Sequence, residues 1–251
     1  MKNGHLMLAS LSMYDRPELK THNQVYWSEI RRALYSRGIE SPKLLTEEGT
    51  GLAFWGSPKL FLSQTCGLPY RKYLHNKVNL VGTPDFGVEG CSSGYYRSYF
   101  IVRKNDKRNS LPQFNDSVFA YNEKVSQSGF ASAKNHLKSL GFWFQNIKKT
   151  GSHLRSAQSI AHDDADIAAI DAVTWYFINK YESIATELRI LEATEPTPGL
   201  PYITSKTMKS DVMFDAIKDA IKNLSKTVKR ELNIKGIIKI PKASYLAIPL
   251  P

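Results

Sequence analysis

Cysteine is scarce in this chain: Cys66 and Cys91 are the only two among 251 residues. A disulfide-stapled scaffold is excluded, because folds of that kind need several bridges. The pair could form one bridge in an oxidising compartment, since both fall in loops after strands expected to be neighbours. Otherwise they are two independent buried thiols. Long apolar runs are missing too. No stretch of 18 apolar residues occurs, so no segment reads as a membrane-spanning helix. The apolar piece Leu6–Met13 is interrupted by Ser10 and Ser12 and has the length of a strand. It lacks the continuous apolar core and cleavage site of a secretory leader, which leaves a cytoplasmic location open. Metal spacing is absent as well. The run His162-Asp163-Asp164-Ala165-Asp166 fits neither an EF-hand loop nor a zinc site and reads as a solvated turn. No metal and no cofactor are expected.

Acidic charge is in deficit, and the formal net charge is +11. The cations concentrate in Arg103–Arg108, Lys134–Lys149 and Lys206–Lys242. No recognition helix, zinc finger or RNA-binding signature accompanies them, so nucleic acid is not expected as a partner. A basic surface of this kind draws in anionic solutes. Apolar content of 42% is ordinary for a globular chain long enough to bury a sizeable core.

What is present is an alternation of strands and helices. Leu6–Ser12 reads as a strand, followed by a turn and a helix over Pro17–Ser36 with proline in its first turn and Gly38 as its stop. Leu60–Ser63, Val78–Thr83 and Tyr95–Arg103 read as strands, with a short helix over Gly67–Leu74. A second set follows. Its strands are Ser117–Tyr121, Phe142–Ile147, Ala165–Ile170 and Leu188–Ala193, and its helices are Ser128–Leu140, Ser152–Ala161 and Ala172–Tyr181. Such alternation predicts an α/β fold with parallel sheets and helices on both faces. The Pro/Gly-rich stretch 194–201 is a connection, and Met213, Ile217, Ile221, Leu224, Val228 and Leu232 predict one amphipathic C-terminal helix. With the two-lobed architecture implied by the resemblance given below, the expected division is residues 1–98 as the first part of lobe 1, 99–200 as lobe 2, and 201–251 returning to lobe 1.

The chemistry sits in strand-to-helix turns. Ser126-Gln127-Ser128-Gly129 opens a helix, whose unpaired N–H groups and partial positive charge suit an anion. Its serines add hydroxyl donors, although a serine there also serves as a plain cap. Gly151-Ser152-His153 repeats the arrangement with an imidazole in the first helical turn. Asp171 falls where a third strand gives way to a helix; it is a cap, or an acceptor for a protonated ligand oxygen or an amine. In the first half Tyr14, Gln64, Thr65 and Tyr70 occupy comparable turns, where ordinary loop packing also accounts for them.

Six blocks along the chain carry a resemblance: Leu11–Glu18, Leu62–Gly67, Val81–Phe86, Ser126–Phe130, Ala165–Trp175 and Thr197–Tyr202. In order and over nearly the whole length, they resemble the phosphate/phosphite/phosphonate-type substrate-binding proteins of ABC transporters. The resemblance implies the type II periplasmic-binding-protein fold, two α/β lobes joined by a two-segment hinge with a ligand cleft between them. It implies a small anionic ligand, a permease partner, a periplasmic location and no catalysis; a monomer is expected. It implies ligand contacts at Ser126, Gln127, Ser128 and His153, with Tyr70 as a match to a cleft tyrosine. Tyr14, Gln64, Thr65 and Asp171 complete the candidate set. Two departures stand out: Gln127 where the family often has threonine, and Thr197 where the phosphonate branch places an acidic residue.

Other readings keep the fold and exchange the ligand for a sulfonate or a pyrimidine vitamin precursor, or make the chain a cytoplasmic sensor. A hydrolase would use Ser128, His153 and Asp171 as nucleophile, base and orienting acid. Ser128 does not lie in the Gly-x-Ser-x-Gly elbow that exposes such a nucleophile.

Overall fold

The computed structural model describes residues 7–47 and 49–251. In chain order its elements are β1 (Leu8–Ser10), α1 (Lys20–Tyr35), α2 (Leu52–Trp55), β2 (Leu60–Gln64), α3 (Gly67–Pro69), β3 (Val78–Asp85), β4 (Tyr95–Tyr96) and β5 (Ser98–Arg103). There follow β6 (Val118–Tyr121), α4 (Ser132–Ser139), β7 (Asn146–Lys149), α5 (His153–Ala161), β8 (Ile167–Asp171), α6 (Ala172–Tyr181) and β9 (Leu188–Ala193). The chain ends with β10 (Thr197–Pro198), β11 (Tyr202–Ser205), α7 (Ser210–Asn223), α8 (Lys226–Glu231), β12 (Gly236–Ile238) and α9 (Lys242–Leu246). Among the described residues no helix is long and apolar enough to cross a membrane.

The chain divides into two compact units. The first runs to Gly94 and resumes over Pro198–Ala247; the second is Tyr95–Thr197 with the tail Ile248–Pro251. The first unit holds a five-stranded sheet in the order β1-β2-β11-β3-β12. There β1 and β2 are parallel, while β11 runs antiparallel to both β2 and β3, and β12 antiparallel to β3. Helix α1 covers this unit with Tyr26, Trp27, Ile30, Ala33 and Leu34 buried, an apolar stripe of helical period. Its end shows why Gly38 is needed. With φ of +72°, Gly38 donates to the Tyr35 carbonyl (2.9 Å) while Ile39 donates to that of Leu34 (3.0 Å), which is a Schellman stop.

The second unit holds a sheet in the order β7-β6-β8-β5-β9. Strand β6 is parallel to β7 and β8, whereas β5 is antiparallel to β8 and β9. Both faces are buried. Phe100, Val102, Phe119, Tyr121, Ile167 and Ala169 pack on one side; Ile101, Ala120, Ala168 and Ile170 pack on the other. The two-residue alternation of each strand thus feeds two cores, and each core is roofed by helices.

The α/β architecture stands as expected, but the sheets are mixed rather than parallel. Three strands break the pattern: β5, β11 and β12. Strands β5 and β11 enter their sheets from the passage between units and not through a helical crossover, which is what fixes neighbours as parallel, while β12 follows α8 and adds to the sheet edge beside β3. Two further differences have local causes. The strand expected over Phe142–Ile147 begins only at Asn146, because Phe142, Trp143 and Phe144 are held by ring packing instead: Phe144 stacks on Phe119 at 4.8 Å and Trp143 meets Phe130 edge-on at 5.4 Å. The single C-terminal helix is two. Leu224 adopts ψ of 141°, and Ser225 caps α8 by accepting from the Val228 amide at 3.2 Å. Cys66 and Cys91 form no disulfide; the former is buried and the latter half-buried.

Candidate functional site

The donor-rich turns of the second unit come together at the ends of neighbouring strands. Strand β6 delivers the chain to Ser126, whose hydroxyl oxygen accepts from the Gly129 amide at 3.0 Å. The next turn is wide: Ala131 donates back to the Ser126 carbonyl, five residues away, at 3.1 Å. Such π-type turns collect at functional places in helices. Ser126 and Ser128 are both buried, the latter 3% exposed. An oxygen that accepts at a cap keeps its own O–H to donate, so Ser126 remains a hydroxyl donor.

The second turn is stitched to the first. Thr150 donates its amide to the Tyr121 carbonyl at 2.8 Å and Gly151, at φ of +89°, donates to that of Asn122 at 3.0 Å. The Thr150 hydroxyl lies 2.7 Å from that of Ser156, and Ser152 caps α5 by accepting from the Arg155 amide at 3.1 Å. This framework sets His153 against Ser128, with Ser128 Oγ and His153 Nε2 2.9 Å apart. Asn122 Nδ2 reaches the same nitrogen at 3.5 Å. Gly129 permits the close approach: a Cβ there would stand 2.0 Å from Asn122 Oδ1 and 3.1 Å from His153 Cε1.

Electrostatics follow from burial. The His153 pKa is pushed down to about 4 by desolvation, against an upward pull from the Ala169 carbonyl. Desolvation is the larger of the two effects. The ring is therefore neutral near pH 7. The Ala169 carbonyl favours the proton on Nδ1, which leaves Nε2 to accept from the Ser128 hydroxyl.

The other expected residues are placed as follows. Gln127 is buried and donates through Nε2 to Ser132 Oγ at 2.8 Å, which pins the wide turn to α4. Asp171 caps α6, its Oδ1 accepting from the Val173 and Thr174 amides at 2.8 and 3.0 Å. It pairs in register with Ser98, and Ser98 Oγ donates to the Ser128 carbonyl at 2.9 Å, so Asp171 is one strand away from the serine turn. In the first unit, Tyr14 is half-buried with its ring edge-on to Phe86 at 5.0 Å. Gln64 donates to the Leu200 carbonyl at 3.0 Å, and Thr65 is buried with its amide on the Pro201 carbonyl at 3.0 Å. Tyr70 is buried edge-on to Tyr245 at 5.2 Å, and burial pushes its pKa up to about 12. Asn122 and Thr150 belong to the second-unit site and were not singled out by sequence. The signal available for Asn122 was its position, the first residue after β6, which is where strand ends present side chains to ligands.

Two α/β units with mixed five-stranded sheets, and helix starts gathered at strand ends, define the class: a type II periplasmic-binding-protein fold. The family can be given as well. The sequence matches the family of ABC transporter, phosphonate, periplasmic substrate-binding proteins over residues 62–245, and the chain belongs to it. Comparison with curated proteins gave no match. Among solved structures, the chain is similar to PhnD1 from Prochlorococcus marinus (MIT 9301) in complex with methylphosphonate, with 16% identity, a TM-score of 0.76, and 96% and 94% of the two chains covered. XAC2383 from Xanthomonas citri bound to ATP gives 15% identity, a TM-score of 0.70, and coverage of 95% and 92%. A binding protein component of an ABC phosphonate transporter from Pseudomonas aeruginosa (PA3383) gives 14%, 0.67, and 96% and 82%. At these identities the structures speak for the fold.

Proposed function

We propose that this substrate-binding protein takes a small oxyanion of the phosphonate or phosphate kind, and that Ser126, Ser128 and His153 hold its oxygens. The observation that carries the reading is the 2.9 Å contact between Ser128 Oγ and His153 Nε2 at the start of a wide helical turn. Helix N-termini supply a fixed positive potential there, and hydroxyls supply donors aimed by caps. As an oxyanion arrives, its charge raises the proton affinity of the His153 ring. A protonated Nε2 then donates, and the Ser128 hydroxyl turns its own proton to the ligand. Asp171, an acceptor beside these donors, favours a ligand oxygen that still carries hydrogen. Gln127 shapes the turn through Ser132. Tyr14, Gln64, Thr65 and Tyr70 are the ligand contacts proposed for the first unit.

Binding without catalysis is the second part of the reading. A serine–histidine pair at 2.9 Å is also how a hydrolase begins, but there a carboxylate orients the far ring nitrogen. Here His153 Nδ1 faces the Ala169 backbone carbonyl and not a carboxylate, and Asp171 Oδ1 is engaged by two amides. A base with a pKa near 4 is also poorly matched to neutral pH. The protein is proposed to act as a monomer on the periplasmic side, delivering its ligand to a permease, with no nucleic acid involved. Titration calorimetry with methylphosphonate, phosphite, phosphate, a sulfonate and a pyrimidine tests the ligand class. Tight 1:1 binding of a phosphorus oxyanion is expected; exclusive binding of the pyrimidine would replace this reading. A chromogenic ester should show no turnover.

A further inference from the structure

Between Lys206 and Lys242 there are ten lysines and arginines against four acids. Their arrangement at one place is more specific than the count. Helix α7 buries Met213, Phe214, Ala216, Ile217, Ala220 and Ile221 and leaves Lys218 and Lys222 exposed one turn apart. Lys226 opens α8, also exposed. Lys229 lies a turn further and folds back, its Nζ donating to the Lys222 carbonyl at 2.9 Å. Four ammonium groups thus share the junction of two helices.

The nearby acids are mostly engaged elsewhere. Asp219 binds Arg37 at 2.5 Å, Asp211 binds Lys239 at 2.7 Å, and Glu231 sits beside Arg230 at 3.4 Å. Among the described residues none of the four lysines forms an ion pair. Like charges one helical turn apart repel. The carbonyl end of α7 offsets only part of this, through its partial negative charge. Tyr35 is 78% exposed. It ends α1, which packs along α7 and reaches α8, and the Arg37–Asp219 pair fastens that end to α7.

We propose that the stripe Lys218–Lys222–Lys226–Lys229, with the exposed Tyr35 at the end of α1, docks the first unit on an anionic lipid surface. Clustered lysines are attracted to acidic headgroups, and an amphipathic tyrosine ring suits the headgroup level. The composition favours a diffuse anionic surface over a nucleic acid. Lysines act as point charges without the guanidinium fork that grips single phosphates. This surface is separate from the serine turns, and the inference does not depend on which ligand they hold.

Flotation of the full chain with vesicles tests it. Vesicles of about 30% phosphatidylglycerol in phosphatidylcholine should carry the protein at low salt, pure phosphatidylcholine should not, and about 0.5 M NaCl should release it. The variant Lys218→Glu/Lys222→Glu/Lys226→Glu should lose at least tenfold in vesicle binding while keeping its melting transition and its affinity for methylphosphonate. Tyr35→Ser should bind vesicles more weakly than the parent chain. The proposal is overturned if the parent chain ignores acidic vesicles, if it binds both vesicle types alike, or if the folded triple variant floats as well as the parent. It is also overturned if duplex DNA at equal phosphate concentration displaces the protein from acidic vesicles and binds it more tightly.

Discussion

At the scale of single residues, the account rests on a neutral histidine held against a serine. Removing either partner should weaken oxyanion binding by roughly ten- to a hundredfold, the range of about 1.5–3 kcal/mol for a hydrogen bond to a charged group. Calorimetry on Ser128→Ala and His153→Gln measures this directly. The same histidine gives a stability signature. Its pKa is about 4 in the folded protein against an ordinary value of 6.5, so as pH falls below about 6.5 the unfolded chain takes up the proton and the folded chain does not. Stability is unaffected by this group above pH 6.5 and falls as pH drops from about 6.5 to 4. Urea melts at several pH values should show that fall reduced in His153→Gln. Asp171 separates two roles cleanly. Asparagine caps a helix about as well as aspartate, so Asp171→Asn should keep stability; a ligand role predicts weaker binding as its only effect. Asp171→Ala should lose both, with about 1 kcal/mol of stability gone in thermal melts.

At the scale of elements, what sequence could and could not show depends on how local the cause is. The helix α6 over Ala172–Tyr181 and the strand β9 over Leu188–Ala193 were legible to the residue, since turn chemistry and apolar period agree there. The start of β7 was not, because Phe142–Phe144 are β-prone in composition but are pinned by rings from other elements. The break between α7 and α8 was hidden for a related reason. Leu224 and Leu232 fit the helical period and are buried, while the Ser225 cap that divides the helix looks like any serine. Ser225→Ala should therefore cost about 1 kcal/mol, read as a lower melting temperature, without changing ligand affinity. Strands β11 and β12 are short, and their pairing partners lie far away in sequence, so no local signal announced them.

At the scale of the whole molecule, the order of blocks along the chain was the strongest signal, and the family match over residues 62–245 rests on the same breadth. The site was legible in part. Ser126, Ser128 and His153 stand at helix starts, which a turn followed by a periodic run reveals. Beyond the position of Asn122 just after β6, nothing local marked Asn122 and Thr150, since their importance comes from a stitch between the ends of β6 and β7. Nor could sequence show that Gln64, Thr65 and Tyr70 are packed within the first unit while Tyr14 stays partly accessible.

The most direct test of the central claim is a calorimetric titration of the parent chain and Ser128→Ala with methylphosphonate, phosphite and phosphate. Binding of at least one of these at 1:1 stoichiometry, weakened tenfold or more by the substitution, is the result predicted. Absence of binding to all three, or binding that Ser128→Ala leaves unchanged, would contradict it.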